Sequence, residues 1–345
     1  MTAAGAALLA AAALAGCASE PSDDDGPVTL TLVTHESFSL GEGVLESFTE
    51  ETGIAVELYA AGDAGELVNQ IVLTKDDPLG DVVFGVDNTF ASRAVNGGAL
   101  ADYVSPAAEE GSPNLMLPAD GGGGTLTPIT SGDVCVNVDH TWFDEAGIPE
   151  PQTLDDLVDP TYAGLFVTPA ANSSSPGLAF LLATIEAYGD NGWQQYWRDL
   201  VANDVIITAG WSDAYYTEFS GPSSEGDTPI VLSYASSPPF EVSDGTAPTG
   251  ALLDTCFRQS EYAGVLAGTE HEAEAQQLVD FLYSVPAQES IPEAMYVYPA
   301  NPEAALPSAW AEFAEMPTEP FEMDPAAIDE NREAWISEWA EIAVP

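Results

Sequence analysis

Three short segments of the sequence set polar side chains at the ends of strand-like runs: Asp87-Asn88, Ser173-Ser174-Ser175 and Tyr234-Ala235-Ser236-Ser237. Open α/β sheets hold their ligands at such places, beyond the carboxyl ends of the strands. The serines lead through Pro176 and Gly177 into a helical run over 178–188. Proline at an early helical position leaves free N–H groups and the positive end of the dipole for a hydroxyl or an anion. An ordinary serine N-cap is the plainer use of the same residues, and one serine can do both. Covalent chemistry is not indicated. No Gly-x-Ser-x-Gly elbow is present, and Gly221-Pro222-Ser223-Ser224-Glu225-Gly226 has the wrong spacing and no strand-to-helix setting. The three histidines, His35, His140 and His271, form no His-x-x-x-His pair, and there is no Walker loop and no Gly-x-Gly-x-x-Gly after a strand. Paired acids for glycoside hydrolysis carry no information in a chain with 57 Asp and Glu.

The elements that would position these groups follow from hydrophobic period. Residues 28–33 read as a strand, 43–51 as a helix, 54–60 as a strand, 65–74 as a helix and 81–86 as a buried strand, an order that predicts a parallel α/β sheet. Residues 105–128, rich in Pro and Gly, read as a loop. Beyond it, a strand over 134–138, helices over 177–188 and 193–201, and strands over 205–208 and 230–234 predict a second α/β unit. Helices over 270–284 and 331–343 close the chain. A length of 345 residues allows two domains.

Composition narrows the partners. Against 57 acids stand Lys75, Arg93, Arg198, Arg258 and Arg332, a formal net charge of -52. Scattered single cations cannot hold a phosphate backbone, so nucleic acid is excluded as the main partner, and an anionic membrane surface would repel the chain. Disorder does not follow, because 46% of residues are apolar. Acids spread along the whole length fit a halophilic protein: at 1 M salt the Debye length is about 3 Å and self-repulsion is largely screened.

Residues 3–16 form an uncharged apolar run, too short to span a membrane but suited to a signal peptide, and end at Leu14-Ala15-Gly16-Cys17. This resembles a lipobox, which would make Cys17 the lipidated first residue of the mature chain and residues 17–26 an acidic tether. Only Met1 and Thr2 precede the apolar run, so a basic segment is expected upstream of Met1. Cys135 and Cys256 remain; an exported chain permits one disulfide between them, with two buried free thiols the other reading, and the sequence does not choose.

Several segments resemble one family: Thr34-His35-Glu36-Ser37-Phe38, 81–88 (DVVFGVDN), Ser174-Ser175-Pro176-Gly177-Leu178, 210–215 (GWSDAY), 231–238 (VLSYASSP), Val297-Tyr298-Pro299 and 334–339 (AWISEW). Collinear from about 28 to 339, they look like the thiamine-binding proteins of bacterial and archaeal ABC importers. The resemblance implies a type II periplasmic-binding-protein fold, two α/β lobes joined by crossover strands with the ligand cleft between them. Lobe 1 is expected at 27–132 plus 250–310 and lobe 2 at 133–249, with a helical segment over 311–345 packed on both.

Thiamine presents a flat aminopyrimidine, a thiazolium with a fixed charge, and an alcohol that carries phosphates in its esters. The resemblance assigns Trp211, Tyr234 and Tyr215 to ring stacking and the cleft walls, where a desolvated cation over an aromatic face gains about 0.5–2 kcal/mol. Phe240, His35 and Tyr296 stand where the family has other rings. Asp63, matching a family position facing the ligand, and Asp87 with Asn88, ending a buried strand, are the expected carboxylate and amide partners. Ser174, Ser175 and Gly177 would present backbone donors to the alcohol or phosphate. The implied protein is a non-enzymatic monomer without cofactor or metal, exported and lipid-anchored to the outer face of the cytoplasmic membrane. It would deliver thiamine or a thiamine phosphate to a permease with its cytoplasmic ATPase. The alternatives are a ferric-iron-binding protein of the same fold, for which Tyr215-Tyr216 is a candidate pair, and an exported hydrolase.

Overall fold

A computed structural model describes residues 28–118 and 121–343. The expected signal peptide, Cys17 and the acidic tether lie outside the described residues. Among those described, no helix is long and apolar enough to cross a membrane.

The chain runs β1 (Thr29–Thr34), α1 (Val44–Thr52), β2 (Ala55–Ala60), α2 (Ala64–Leu73), β3 (Val82–Asp87), α3 (Ala91–Asn96), α4 (Pro106–Gly111), β4 (Thr127–Asp139) and α5 (His140–Ala146). It continues with β5 (Phe166–Pro169), α6 (Ser175–Tyr188), α7 (Trp193–Ala202), β6 (Ile206–Thr208), β7 (Ile230–Tyr234) and β8 (Thr249–Val265). The last elements are α8 (Glu272–Leu282), α9 (Val285–Met295), β9 (Tyr298–Pro299), α10 (Trp310–Phe313) and α11 (Pro325–Ala343).

One sheet has the order β2-β1-β3-β8-β4-β7-β5-β6, with β9 on β4. Strands β2, β1 and β3 are parallel, as are β7, β5 and β6. Between these blocks lies an antiparallel ribbon of β4 and β8, in register from Thr127↔Ala263 to Asp139↔Thr249. The last part of β8 pairs with β3, and the last part of β4 pairs with β7. Each ribbon strand thus belongs to one block at one end and to the other block at the other. This is the type II binding-protein architecture: two α/β lobes joined by crossover strands.

The ribbon is irregular where it changes lobes. Register shifts between Val134 and Val136, opposite an excess of residues on β8, and Cys135 and Cys256 form a disulfide across that irregularity. Fully buried Asp133 sits beside it, 2.5 Å from Arg258 Nε. Of the two states the sequence left open for these cysteines, the structure has the bonded one.

Three differences from the sequence reading have local causes. Strand β8 is 17 residues long and carries Asp254, Arg258, Gln259 and Glu261, whose polar character broke the apolar pattern. Helix α9 was hidden by Pro286 at its start and Pro292 within it. Residues 105–128 hold α4 besides loop, because Ser105 and Pro106 begin a short helix there.

Helix α11 joins the lobes outside the sheet. Its first half docks on lobe 1: Arg332 Nη1 donates to Thr89 O and Ser92 Oγ at 3.0 Å each, and Glu333 pairs with Arg93 at 3.0 Å. Its second half docks on lobe 2, where Trp339 meets Trp197 edge-on with ring centroids 5.5 Å apart and Glu338 accepts from Gln194.

Candidate ligand-binding site

The site grows from four strand ends. Thr34 closes β1, and His35 follows with its ring tilted on Phe84 of β3. Gly85 makes the room: its φ is +102°, and a Cβ there would lie 2.3 Å from the His35 ring. Asp63 is the N-cap of α2, its Oδ1 accepting from Ala64 N at 2.6 Å. Trp211 opens the π-helical turn Asp213–Glu218, and Tyr234 ends β7.

Trp211 is the centre of a ring cluster. Tyr215 stacks on it at 5.0 Å and 21°, Tyr216 meets it edge-on at 5.5 Å, and Tyr234 and Tyr296 are tilted against it at 6.1 Å each. The indole Nε1 donates to Ser233 Oγ at 3.0 Å, which locks the ring plane. Tyr296 holds a left-handed backbone, φ 59°, directly after α9, a conformation rare for a large side chain and found where surrounding packing enforces it. Phe240, 43% exposed, lies 4.1 Å from Tyr296.

His35, Asp63, Ser175, Trp211 and Tyr234 line one cavity between the lobes, together with Ser37, Ala64, Pro176, Glu261, Met295 and Val297. Its volume is about 30 Å³, room for a water molecule. Phe240 and Tyr296 line a separate surface groove of about 270 Å³ with Pro239, Pro292 and Trp310. Tyr215 stands behind Trp211, its hydroxyl donating to Glu241 Oε1 at 2.8 Å.

The lobes are drawn together by hydrogen bonds across this cavity. Asp63 Oδ2 accepts from Trp211 N at 2.9 Å and its Oδ1 from Ser175 N at 3.3 Å. Gly65 N donates to Ser173 O at 3.0 Å, and the hydroxyls of Ser37 and Ser212 lie 2.9 Å apart. The first N–H of α6, that of Ser175, therefore points at the Asp63 carboxylate. Ser174 is buried with its hydroxyl unpartnered among the described residues. Gly177 lies against β5, where a Cβ would come within 2.5 Å of the carbonyls of Pro169 and Ala170, so its hydrogen lets α6 seat on the strand end.

Asp87 and Asn88 part company. Asp87 is fully buried behind the cavity wall, accepting from Ser175 Oγ, from Thr89 Oγ1 at 2.9 Å and from Phe90 N at 3.0 Å. Burial pushes its carboxyl up to about 6 in spite of those donors. Asn88 turns toward β8, donating to Arg258 O and accepting from Ser260 N, and lines a different pocket with Arg258 and Met116.

Sequence reasoning missed Glu261, 7% exposed and lining the cavity. One acid among 57 attracts no notice, but an acid between Phe257 and Val265, inside an otherwise buried strand, was the available signal. Burial works against its charge, but the neighbouring His35 charge and the bond from Thr130 hold its carboxyl below the ordinary value.

Tyr215 and Tyr216 do not present a common pair of hydroxyls, since Tyr216 donates to the Tyr296 hydroxyl at 2.9 Å while Tyr215 goes to Glu241. Burial raises both phenols above their ordinary value, which disfavours phenolate ligation. No group of three or more His, Cys, Asp or Glu with metal-binding geometry occurs among the described residues.

The family of bacterial extracellular solute-binding proteins matches residues 77–318. The chain belongs to this family. Among its relatives are the thiamine-binding periplasmic protein of Salmonella typhimurium, 28% identical over 90% of this chain and 92% of that protein, and that of Brucella suis, 27% identical over 90% and 91%. A solved periplasmic thiamin-binding protein superposes with a TM-score of 0.79 at 27% identity, covering 92% of this chain and 96% of its own. An iron-bound protein of Pseudomonas aeruginosa has a TM-score of 0.68 at 22% identity, covering 92% of this chain and 100% of its own, a likeness of fold alone.

Proposed function

We propose that this solute-binding protein takes thiamine between its lobes and delivers it to the permease of an ABC importer. The observation that carries the reading is the ring cluster on Trp211, beside a cavity flanked by the carboxylates of Asp63 and Glu261. Stacked rings suit a planar heteroaromatic guest, and buried carboxylates suit its fixed positive charge. The names of the relatives point to the same vitamin. No bond is made or broken in this role, and the protein acts as a carrier, not an enzyme.

A cavity of about 30 Å³ is a narrow cleft, far below the several hundred Å³ of ordinary ligand pockets. Thiamine therefore enters after the lobes part, breaking the Asp63 contacts with Trp211 and Ser175. In this reading lobe 1 comprises residues 27–132 and 250–310, lobe 2 residues 133–249, and 311–345 bridge them. Trp211, Tyr234 and Tyr215 form the inner wall, with Phe240 and Tyr296 at the mouth. His35, Asp63 and Ser175 line the cleft, and Ser174, Gly177 and Asp87 hold the start of α6 in place. Asn88 serves the ribbon instead. An alcohol or phosphate at the α6 N-terminus would displace the Asp63 carboxylate. The rest of the proposal is an exported monomer anchored through lipidated Cys17, handing its ligand to a permease driven by a cytoplasmic ATPase.

The test is titration with thiamine, its monophosphate and its diphosphate at about 3 M KCl, reading tryptophan fluorescence. Tight thiamine binding is expected, and Trp211→Ala should weaken it by about 1–3 kcal/mol. Binding of ferric citrate without thiamine would overturn the reading.

A further inference from the structure

Two acids line the inter-lobe cavity, and their oxygens are held differently. The Asp63 carboxylate accepts three backbone N–H groups, from Ala64, Ser175 and Trp211. On Glu261, Oε2 accepts from Thr130 Oγ1 at 2.7 Å. Its Oε1 faces only His35 Nε2 at 3.3 Å, an ion-pair distance without hydrogen-bond alignment. Both partners are nearly excluded from solvent. A buried carboxylate needs a positive partner, and in the narrow cleft the imidazolium is the one within reach.

We propose, resting on the reading of the cleft as a thiamine site, that Glu261 is the counter-charge of the ligand's cation and that His35 competes with the ligand for it, so that capture sheds one proton. The thiazolium cannot lose its charge, whereas His35 can. With the ligand's cation set against Glu261, a protonated His35 beside the same carboxylate is repelled, and of the two cations only the imidazole can become neutral. The charge balance is simple: His35 as imidazolium plus the incoming cation gives neutral His35, bound cation and a proton released to solvent. His35 is suited to the exchange. Burial alone would depress its pKa, but the close Glu261 carboxylate, with Asp63 and Glu36, keeps it above the ordinary histidine value.

The groups around this pair are Asp63 from the cap of α2, Glu36 beside His35, Asp87 behind Ser175 and the Tyr234 phenol from β7, which burial holds well above its ordinary value. Glu36 and Asp87 also titrate above their ordinary range, and their ionisation on raising pH favours a cation too. A His35 variant is therefore needed to isolate the histidine step.

The experiment is calorimetric titration of the full chain with thiamine between about pH 5.5 and 8, in two buffers of different ionisation heat at about 3 M KCl. Close to one proton released per thiamine is expected below the His35 pKa, with affinity rising there by about tenfold per pH unit. His35→Gln should bind with most of that release abolished. Glu261→Gln should bind at least about tenfold more weakly while retaining its circular dichroism. An uncharged analogue with a thiophene ring in place of the thiazolium should bind wild type without proton release. Thiamine binding with no proton release, or undiminished release in His35→Gln, overturns this inference and leaves the thiamine reading standing. Absence of thiamine binding at every pH overturns both.

Discussion

Asp87 shows how a strand-end acid differs from a surface one. Its carboxyl is fully buried, and burial outweighs three donors to bring it to about 6. The sign of the consequence is fixed: the folded chain holds this proton more tightly than the unfolded chain, so the Asp87 contribution makes stability fall as pH rises from about 4 to 6. His35, also raised, acts in the same direction over its own range, whereas Glu261, lowered, removes stability only in stronger acid. Asp87→Asn imitates the protonated acid. Denaturant unfolding at pH 4.5 and 7 should show a smaller difference in the variant than in wild type, by on the order of 1–3 kcal/mol. An unchanged difference would remove Asp87 as the source. At this scale five of the candidates named from the resemblance, Trp211, Tyr234, Asp63, His35 and Ser175, line one cavity. Glu261 was not legible in the sequence, because acidity is this chain's background and only the burial of β8 distinguishes that residue. Asn88 could not be separated from Asp87 either, since adjacent residues at a strand end point to opposite faces and the sequence does not say which face meets the cleft.

Among the elements, the ribbon of β4 and β8 matters most, because any relative motion of the lobes passes through it. Residues 134–138 read as a strand, but the longer course of β4 and the whole of β8 did not, since polar pairs such as Asp133 with Arg258 interrupt the apolar pattern. Those interruptions are satisfied only by the partner strand, a long-range fact that a local period cannot contain. The Cys135–Cys256 bond closes a loop of 121 residues across the bulged part of the ribbon. Replacing both cysteines by serine should lower unfolding stability by about 2–5 kcal/mol in a denaturant titration. Thiamine affinity should change much less, because neither cysteine lines the cavity.

For the whole molecule, a net charge of -52 meets very few opposing cations, and several of these are occupied structurally. Lys75 donates to Gly97 O, Arg93 and Arg258 pair with acids, and Arg332, on the inner face of α11, is 4% exposed. The remaining acids repel one another unless salt intervenes. Thermal melting should accordingly rise in midpoint between 0.1 and 3 M KCl, and equal midpoints would count against a halophilic protein.

Helix α11 adds a constraint to that motion. A rigid rod has one foot on each jaw, so no jaw can swing without bending, sliding or lifting it. The feet differ in kind. Trp339 on Trp197 is a dry wedge indifferent to electrolyte, whereas the opposite foot adds two exposed contacts that brine loosens, Arg93 with Glu333 and Asn96 Nδ2 with Asp329 Oδ1 at 3.2 Å. The spring is softest at the end nearest Asp329, and the ions around the protein set its stiffness.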